Sequence, residues 1–146
     1  MARPALKRED ILAGAARTFR RLGFGESSMD AIAREAGVSK ATLYRYFPTK
    51  TALFVAAIQA TPPARMELAP PPPGMAIDDV LTLLGTGIIR AVNDASYLGL
   101  FRVAMGESER FPELVQAVRA QVLDRVFPAV GGLMAGWMAD GTLRHP

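Results

Sequence analysis

The chain has no cysteine among its 146 residues and a single histidine, His145, next to the end. Without thiols there is no disulfide framework, no thiolate metal site and no cysteine nucleophile. An imidazole confined to a fraying chain end makes a poor general base or metal ligand. Long apolar runs are missing too. The longest charge-free one, Val126 to Ala139, spans 14 residues and is interrupted by Pro128, Gly131, Gly132 and Gly136, whereas a membrane-spanning helix needs about 20. At the N-terminus, Arg3, Lys7 and Arg8 are followed by Glu9 and Asp10 rather than by an apolar segment, so no secretory leader is expected. These absences point away from an enzyme, a secreted protein or a membrane protein. They leave a soluble, cytoplasmic product with no cofactor and no metal.

What is present is unevenly distributed. Residues 1–60 carry ten basic groups against five acids, and residues 61–146 carry seven against nine. A basic first part joined to a mildly acidic, apolar remainder suggests one part that meets a polyanion and another with a separate task. Between them lies Thr61 to Gly74, TPPARMELAPPPPG, with six of the eleven prolines. Proline removes an amide donor and restricts its predecessor, so this stretch breaks any helix and reads as an extended connector. The expected organisation is a DNA-binding unit at 1–60, a linker at 61–74 and a helical unit at 75–146.

The periodicity is helical throughout, and no stretch alternates long enough for a convincing strand, so the expected class is all-α. Ile11, Leu12, Ala15, Ala16, Phe19 and Leu22 form one apolar stripe opposite Arg17, Arg20 and Arg21, and Gly23 closes the helix. Ser28 caps a short helix with Asp30 in its first turn, Gly37 stops it, and Ser39 caps a third helix from Lys40 to about Phe47. Lys50 to about Ala60 makes a fourth. Ile77–Asn93, Tyr97–Met105 and Pro112–Ala139 read as three more.

Two short helices joined by Gly37-Val38-Ser39 describe a helix-turn-helix. Gly37 allows the positive φ of the turn, Val38 plugs the core beneath it, and the small Ala33 lets helices cross closely. At about 100° per residue, Leu43 and Phe47 turn inward and Arg45 stands at the centre of the outer face. Ala41 and Thr42 lie beside it, Lys40 and Tyr44 on one flank and Tyr46 on the other. A guanidinium that pairs with guanine, small residues that allow close approach and hydroxyls that reach phosphate together suit a major groove.

The run from Ser28 to Phe54, SMDAIAREAGVSKATLYRYFPTKTALF, strongly resembles the DNA-binding region of TetR/AcrR (tetracycline-repressor-like) bacterial regulators. The resemblance covers about Lys7 to Phe54. It implies a homodimeric repressor that binds double-stranded DNA at a near-palindromic operator and is released by a small, apolar effector. It further implies Lys40, Ala41, Thr42, Tyr44 and Arg45 as groove-facing residues, and Ser28, Ser39, Tyr46 and Lys50 as phosphate contacts.

The segment Leu100 to Leu114, LFRVAMGESERFPEL, is similar to the junction between the sixth and seventh helices of AcrR-type members. For an effector site the sequence offers Asn93, Tyr97, Phe101, Arg102, Met105 and Trp137, with no spacing that singles out a chemistry. The acids Asp78, Asp79, Glu107, Glu109 and Glu113 read as solvated helix ends. The resemblance implies two more helices after a segment like Asp140 to Arg144, which pair across the dimer. The expectation is therefore a partial ligand-binding and dimerisation domain, with some of Leu81, Ile88, Val122, Phe127, Met134 and Trp137 uncovered. The alternative is a truncated interaction protein that associates with a full-length relative and has little stable DNA binding of its own.

Overall fold

The computed structural model describes residues 4–61, Pro71 and 75–142; most of the proline-rich connector and His145 lie outside the described residues. Those residues form seven helices: α1 (Pro4–Leu22), α2 (Met29–Glu35), α3 (Lys40–Tyr46), α4 (Lys50–Gln59), α5 (Ile77–Val92), α6 (Ala95–Gly106) and α7 (Pro112–Ala139). There is no strand among them.

The helix ends follow from local chemistry. Ser28, Ser39 and Thr49 each take an extended backbone and accept an amide from three residues on, which caps α2, α3 and α4. At the end of α1 the Gly23 amide donates to Phe19 O (2.8 Å) with φ +81°. At the end of α2 the Gly37 amide donates to Arg34 O (3.2 Å) and the Val38 amide to Ala33 O (3.0 Å), with Gly37 at φ +66°. This pair of bonds is a Schellman turn, and it aims the chain from α2 into α3. Asp94 Oδ1 accepts from Ser96 N and Tyr97 N and starts α6 two residues earlier than its apolar pattern indicates.

Packing centres on α4, whose Leu53, Phe54, Ala56, Ala57 and Ile58 are all buried. A helix apolar around most of its girth belongs inside a bundle, and α4 lies between α1 and α7. From α1 come Ile11, Leu12, Ala15 and Phe19, with Leu22 of the same stripe turned out to solvent. From the second half come Leu100, Ala104, Leu114 and Val118, which join the same cluster of buried side chains. The core therefore runs without a break from the helix-turn-helix into α6 and α7.

At its centre sit Phe19, Phe24 and Phe54, with ring centroids 5.1–5.7 Å apart, and Phe111 meets Phe24 edge-on at 4.8 Å. Such pairs contribute about 0.5–1.5 kcal/mol each beyond the area they bury. Phe24 follows Gly23 in a loop, outside any periodic stripe, which is why the sequence pattern does not place it in the core.

The outer parts of α5 and α7 are covered less well. Leu81, Leu83 and Ile89 on α5, and Leu123, Phe127, Met134 and Met138 on α7, are exposed. Ile88 and Trp137 are half-buried, and the Val122 side chain lies outside the described residues. No described helix is long and apolar enough to cross a membrane.

Candidate nucleic-acid interface

Helix α3 is held by two inward side chains, Leu43 at 0 % exposure and Phe47 at 5 %. Arg8 of α1 lies over the Phe47 ring at 5.6 Å. With that face fixed, Lys40, Ala41, Tyr44 and Arg45 stand exposed on the other, and Thr42 and Tyr46 are half-buried at its edges. Arg45 places its guanidinium 5.5 Å from the Tyr46 ring centroid, within the range of a cation–π contact.

Lys40 reaches across to Asp30 of α2 at 2.8 Å, and this hydrogen bond raises its pKa from the ordinary lysine value. Both groups are well exposed, and an ion pair of this kind is weak and readily exchanged for another anion.

Ser28 and Ser39 flank this surface. Ser28 Oγ accepts the Ala31 amide at 3.1 Å, and an accepting hydroxyl keeps a proton to donate. Ser39 Oγ accepts the Thr42 amide at 3.1 Å and donates to Thr42 Oγ1 at 2.9 Å, which leaves the Thr42 proton pointing onward. Thr49 satisfies the Ala52 amide at 3.1 Å, so the amides of Lys50 and Thr51 are the open donors at the positive end of α4.

Lys50 is engaged differently from what its place in the motif suggests. Its ammonium donates to the carbonyls of Phe24 (2.7 Å), Ser27 (2.8 Å) and Gly25 (3.2 Å) and sits 4.5 Å from the Phe24 ring centroid. An ammonium has three donors, and all three are directed to the loop between α1 and α2. Partial burial there lowers its pKa from the ordinary value, partly offset by the negative charge of Glu107. The side chain thus ties α4 to the loop, and only the main-chain amide of Lys50 remains for an anion.

On the opposite side of the same loop, Glu107 accepts the amides of Phe24 and Gly25, the latter at 2.9 and 2.8 Å to its two oxygens. The sequence reads Glu107 as a solvated helix end. In the fold its carboxylate is bound to main chain 83 residues away.

The contact between α1 and α2 also rests on a residue that the sequence pattern does not single out. A Cβ on Gly14 would lie 2.8 Å from Ala36 Cβ and 2.9 Å from its Cα and N. Only glycine allows the two helices this approach. Beside it, Arg17 Nε donates to Glu35 Oε1 at 2.7 Å, and this bond lowers the Glu35 pKa from the usual carboxylate value.

In the second half, Tyr97, Phe101 and Met105 on α6 face Val115, Val118, Arg119 and Leu123 on α7 across a partly open cleft of about 280 Å³. Burial raises the Tyr97 phenol above its ordinary pKa. The other three sequence candidates stand apart from this cleft. Asn93 donates its side-chain amide to Ile89 O at 2.8 Å at the end of α5, Arg102 is exposed, and Trp137 is half-buried near the end of α7. Among the described residues no group of acids and histidine is arranged to hold a metal ion.

This geometry agrees with known proteins over nearly the whole chain. Residues 11–57 match the family of bacterial regulatory proteins of the tetR type, and residues 79–146 match the C-terminal domain of AefR-like transcriptional repressors. The transcriptional regulator RutR of Escherichia coli K12 is 30% identical over 142 residues, which cover 94% of this chain and 64% of RutR. A TetR family regulator from Pseudomonas syringae is 32% identical and superposes with a TM-score of 0.67, over 95% of this chain and 70% of that one. The flavonoid-responsive regulator FrrA is 28% identical with a TM-score of 0.78, over 96% and 72%. The chain spans about 64% of the length of the curated relatives it matches first. Matched in sequence across both halves and in structure along almost its full length, the chain belongs to the TetR family of bacterial regulatory proteins.

Proposed function

We propose that the chain is a DNA-binding transcriptional regulator that acts as a repressor, reads a near-palindromic operator as a homodimer and is released by a small apolar effector. The observation that carries the DNA-binding part is the outer face of α3. Leu43 and Phe47 are locked into the core, and Arg45, Tyr44, Ala41 and Lys40 are thereby presented to solvent. In this reading Arg45 pairs with a guanine edge, Ala41 and Thr42 allow close approach, and Lys40 exchanges Asp30 for DNA. Ser28, Ser39, Tyr46 and the main-chain amides at the start of α4 position the phosphates, while the Lys50 ammonium acts indirectly by holding the loop before α2.

The effector reading rests on the apolar cleft between α6 and α7, which takes Tyr97, Phe101 and Met105 from the sequence candidates. Its apolar walls and Arg119, the cationic residue at its rim among the described residues, suit a flat, largely apolar molecule with one acidic or hydroxylated edge. The name of the flavonoid-responsive relative is consistent with that class.

Selection of bound duplexes from random DNA tests the proposal. The expected product is an inverted repeat with half-sites one helical turn apart, about 34–36 Å. Binding should weaken with a log–log salt slope near −0.9 per phosphate contact, hence about −4 to −5 for roughly five contacts per module. Arg45→Ala should relax preference at one base step by about 1–3 kcal/mol. A selection that enriches no motif, or one unchanged by Arg45→Ala, overturns this assignment of α3.

A further inference from the structure

The loop between α1 and α2, Gly23 to Ser27, is gripped from two sides by groups that neither helix supplies. On one side Glu107, in the turn between α6 and α7, accepts the amides of Phe24 and Gly25. On the other, Lys50 at the head of α4 donates to the carbonyls of Phe24, Gly25 and Ser27. Each end of the peptide dipoles in this loop therefore faces a full charge of the complementary sign. Charge-assisted hydrogen bonds of this kind are stronger and more directional than neutral ones.

The fit is close on the Glu107 side. A Cβ on Gly25 would lie 2.8 Å from Glu107 Oε2 and 3.3 Å from Arg110 Nη1, and one on Gly23 would lie 2.9 Å from Glu107 Oε1. Phe111, four residues on, sets its ring edge-on against Phe24 at 4.8 Å. One turn of the second half thus touches the loop through a carboxylate, a guanidinium and an aromatic ring. The same turn joins the two helices, α6 and α7, that form the walls of the apolar cleft. The loop in turn runs directly into Ser28, the cap of α2.

We infer that Glu107 is the positioning residue through which the cleft between α6 and α7 sets the orientation of the helix-turn-helix. A change in the spacing of α6 and α7 moves the turn that carries Glu107, the turn moves the loop it holds, and Lys50 transmits the displacement to the start of α4. α2 and α3 follow as one unit, because the Schellman turn and Val38 join them rigidly. This coupling rests on the reading that the cleft receives an effector and α3 receives DNA, but it can be measured without either.

The experiment uses the full chain labelled with nitrogen-15 and the apolar dye 1-anilinonaphthalene-8-sulfonate as a cleft probe. In the wild type, dye that shifts the amides of Tyr97–Met105 and Val115–Leu123 should also shift Phe24–Ser27 and Lys40–Tyr46. In Glu107→Gln, which keeps shape but removes the charge, the cleft shifts should remain while those in the loop and α3 fall at least threefold. Hydrogen exchange at the Phe24 and Gly25 amides should become at least tenfold faster, with the Leu43 amide unchanged. Gly25→Ala, which pushes the carboxylate away from the other side, should reproduce the effect if Glu107→Gln folds poorly.

Cleft shifts that never reach the loop in the wild type overturn the inference, as do shifts that reach α3 undiminished in both variants. A parallel titration with a duplex fragment separates the two readings. A wild type that propagates the shifts but binds no duplex refutes the proposed function and leaves the coupling standing.

Discussion

Gly14 and Gly37 are both glycines of the helix-turn-helix half, and they are required for unlike reasons. At Gly14 a methyl group would meet the backbone of Ala36 at 2.9 Å, whereas at Gly37 it would meet nothing within 4 Å and the constraint is a φ of +66°. Gly14→Ala should therefore force α1 and α2 apart and cost about 1–3 kcal/mol as an overpacked contact does. Gly37→Ala should cost about 1–2 kcal/mol through the left-handed backbone alone. Urea unfolding measures both, and amide shifts tell them apart: the Gly14 change should spread along α1 and α2, while the Gly37 change stays at the turn. Lys50 invites a second prediction. Removing its ammonium in Lys50→Met takes the charged donor from three carbonyls, with Phe24 O keeping the Ser27 amide at 3.3 Å, so the protein should lose about 1–3 kcal/mol of stability in the absence of DNA. A side chain that only touches phosphate would leave stability without DNA unchanged.

Among the elements, α1 and α2 are joined by the close approach at Gly14 and by the ion pair of Arg17 with Glu35. Glu35 has its pKa lowered in the fold, first by the Arg17 hydrogen bond. A carboxylate whose folded pKa lies below its unfolded value contributes stability that is fully present above the unfolded value and is lost as pH falls through the folded one. The stability difference between the wild type and Arg17→Met should accordingly be largest near neutral pH and close as the solution is made acidic. A difference that persists at low pH would mean that the Arg17 stem, rather than its charge, holds the two helices. Helix α7 behaves as two lengths. Leu114, Ala117 and Val118 are buried near its start, whereas Phe127 just before Pro128 and Met134 and Met138 beyond it are exposed. A proline within a helix removes one bond of the ladder, and the exposed length has little packing to replace it.

For the whole molecule, one core serves both halves. Phe111, Leu100 and Leu114 from the second half pack with Phe24, Phe54 and the α1 stripe. Thermal unfolding should therefore show one transition with coincident near- and far-ultraviolet signals; two separate transitions would show that the halves fold independently. The apolar faces of α5 and α7 have a different consequence. With Leu83 at 61 %, Ile89 at 63 % and Phe127 at 66 % exposed, the surface is one that self-associates or binds apolar molecules. The 146-residue chain should show a light-scattering mass above that of one chain, rising with concentration, and Phe127→Asp should lower it. A concentration-independent monomer would mean that these faces are tolerated in water.

Much of what neighbours within one or two turns carry was legible in the sequence, although the Asp94 cap that starts α6 was not. Ser28 and Gly37 announce where α2 begins and ends and Ser39 where α3 begins, and Leu43 and Phe47, four apart, determine which side of α3 stays outside. That Lys40, Ala41, Tyr44 and Arg45 lie on the exposed side of α3 follows from that periodicity, because a helix has a fixed rotation per residue. The tertiary structure decided the rest. Glu107 has the same local pattern as a solvated helix-end acid, and only the approach of a loop 83 residues away in the chain makes it a clamp. Lys50 looks like an exposed cation until the carbonyls of Phe24, Gly25 and Ser27 come within reach. Of the six cleft candidates, Tyr97, Phe101 and Met105 share one face of α6 and meet α7, while Asn93, Arg102 and Trp137 do not. Local propensity is encoded in short-range sterics and hydrogen bonds. The partner of a charge or a cavity wall is set by which distant surfaces the packed core brings together.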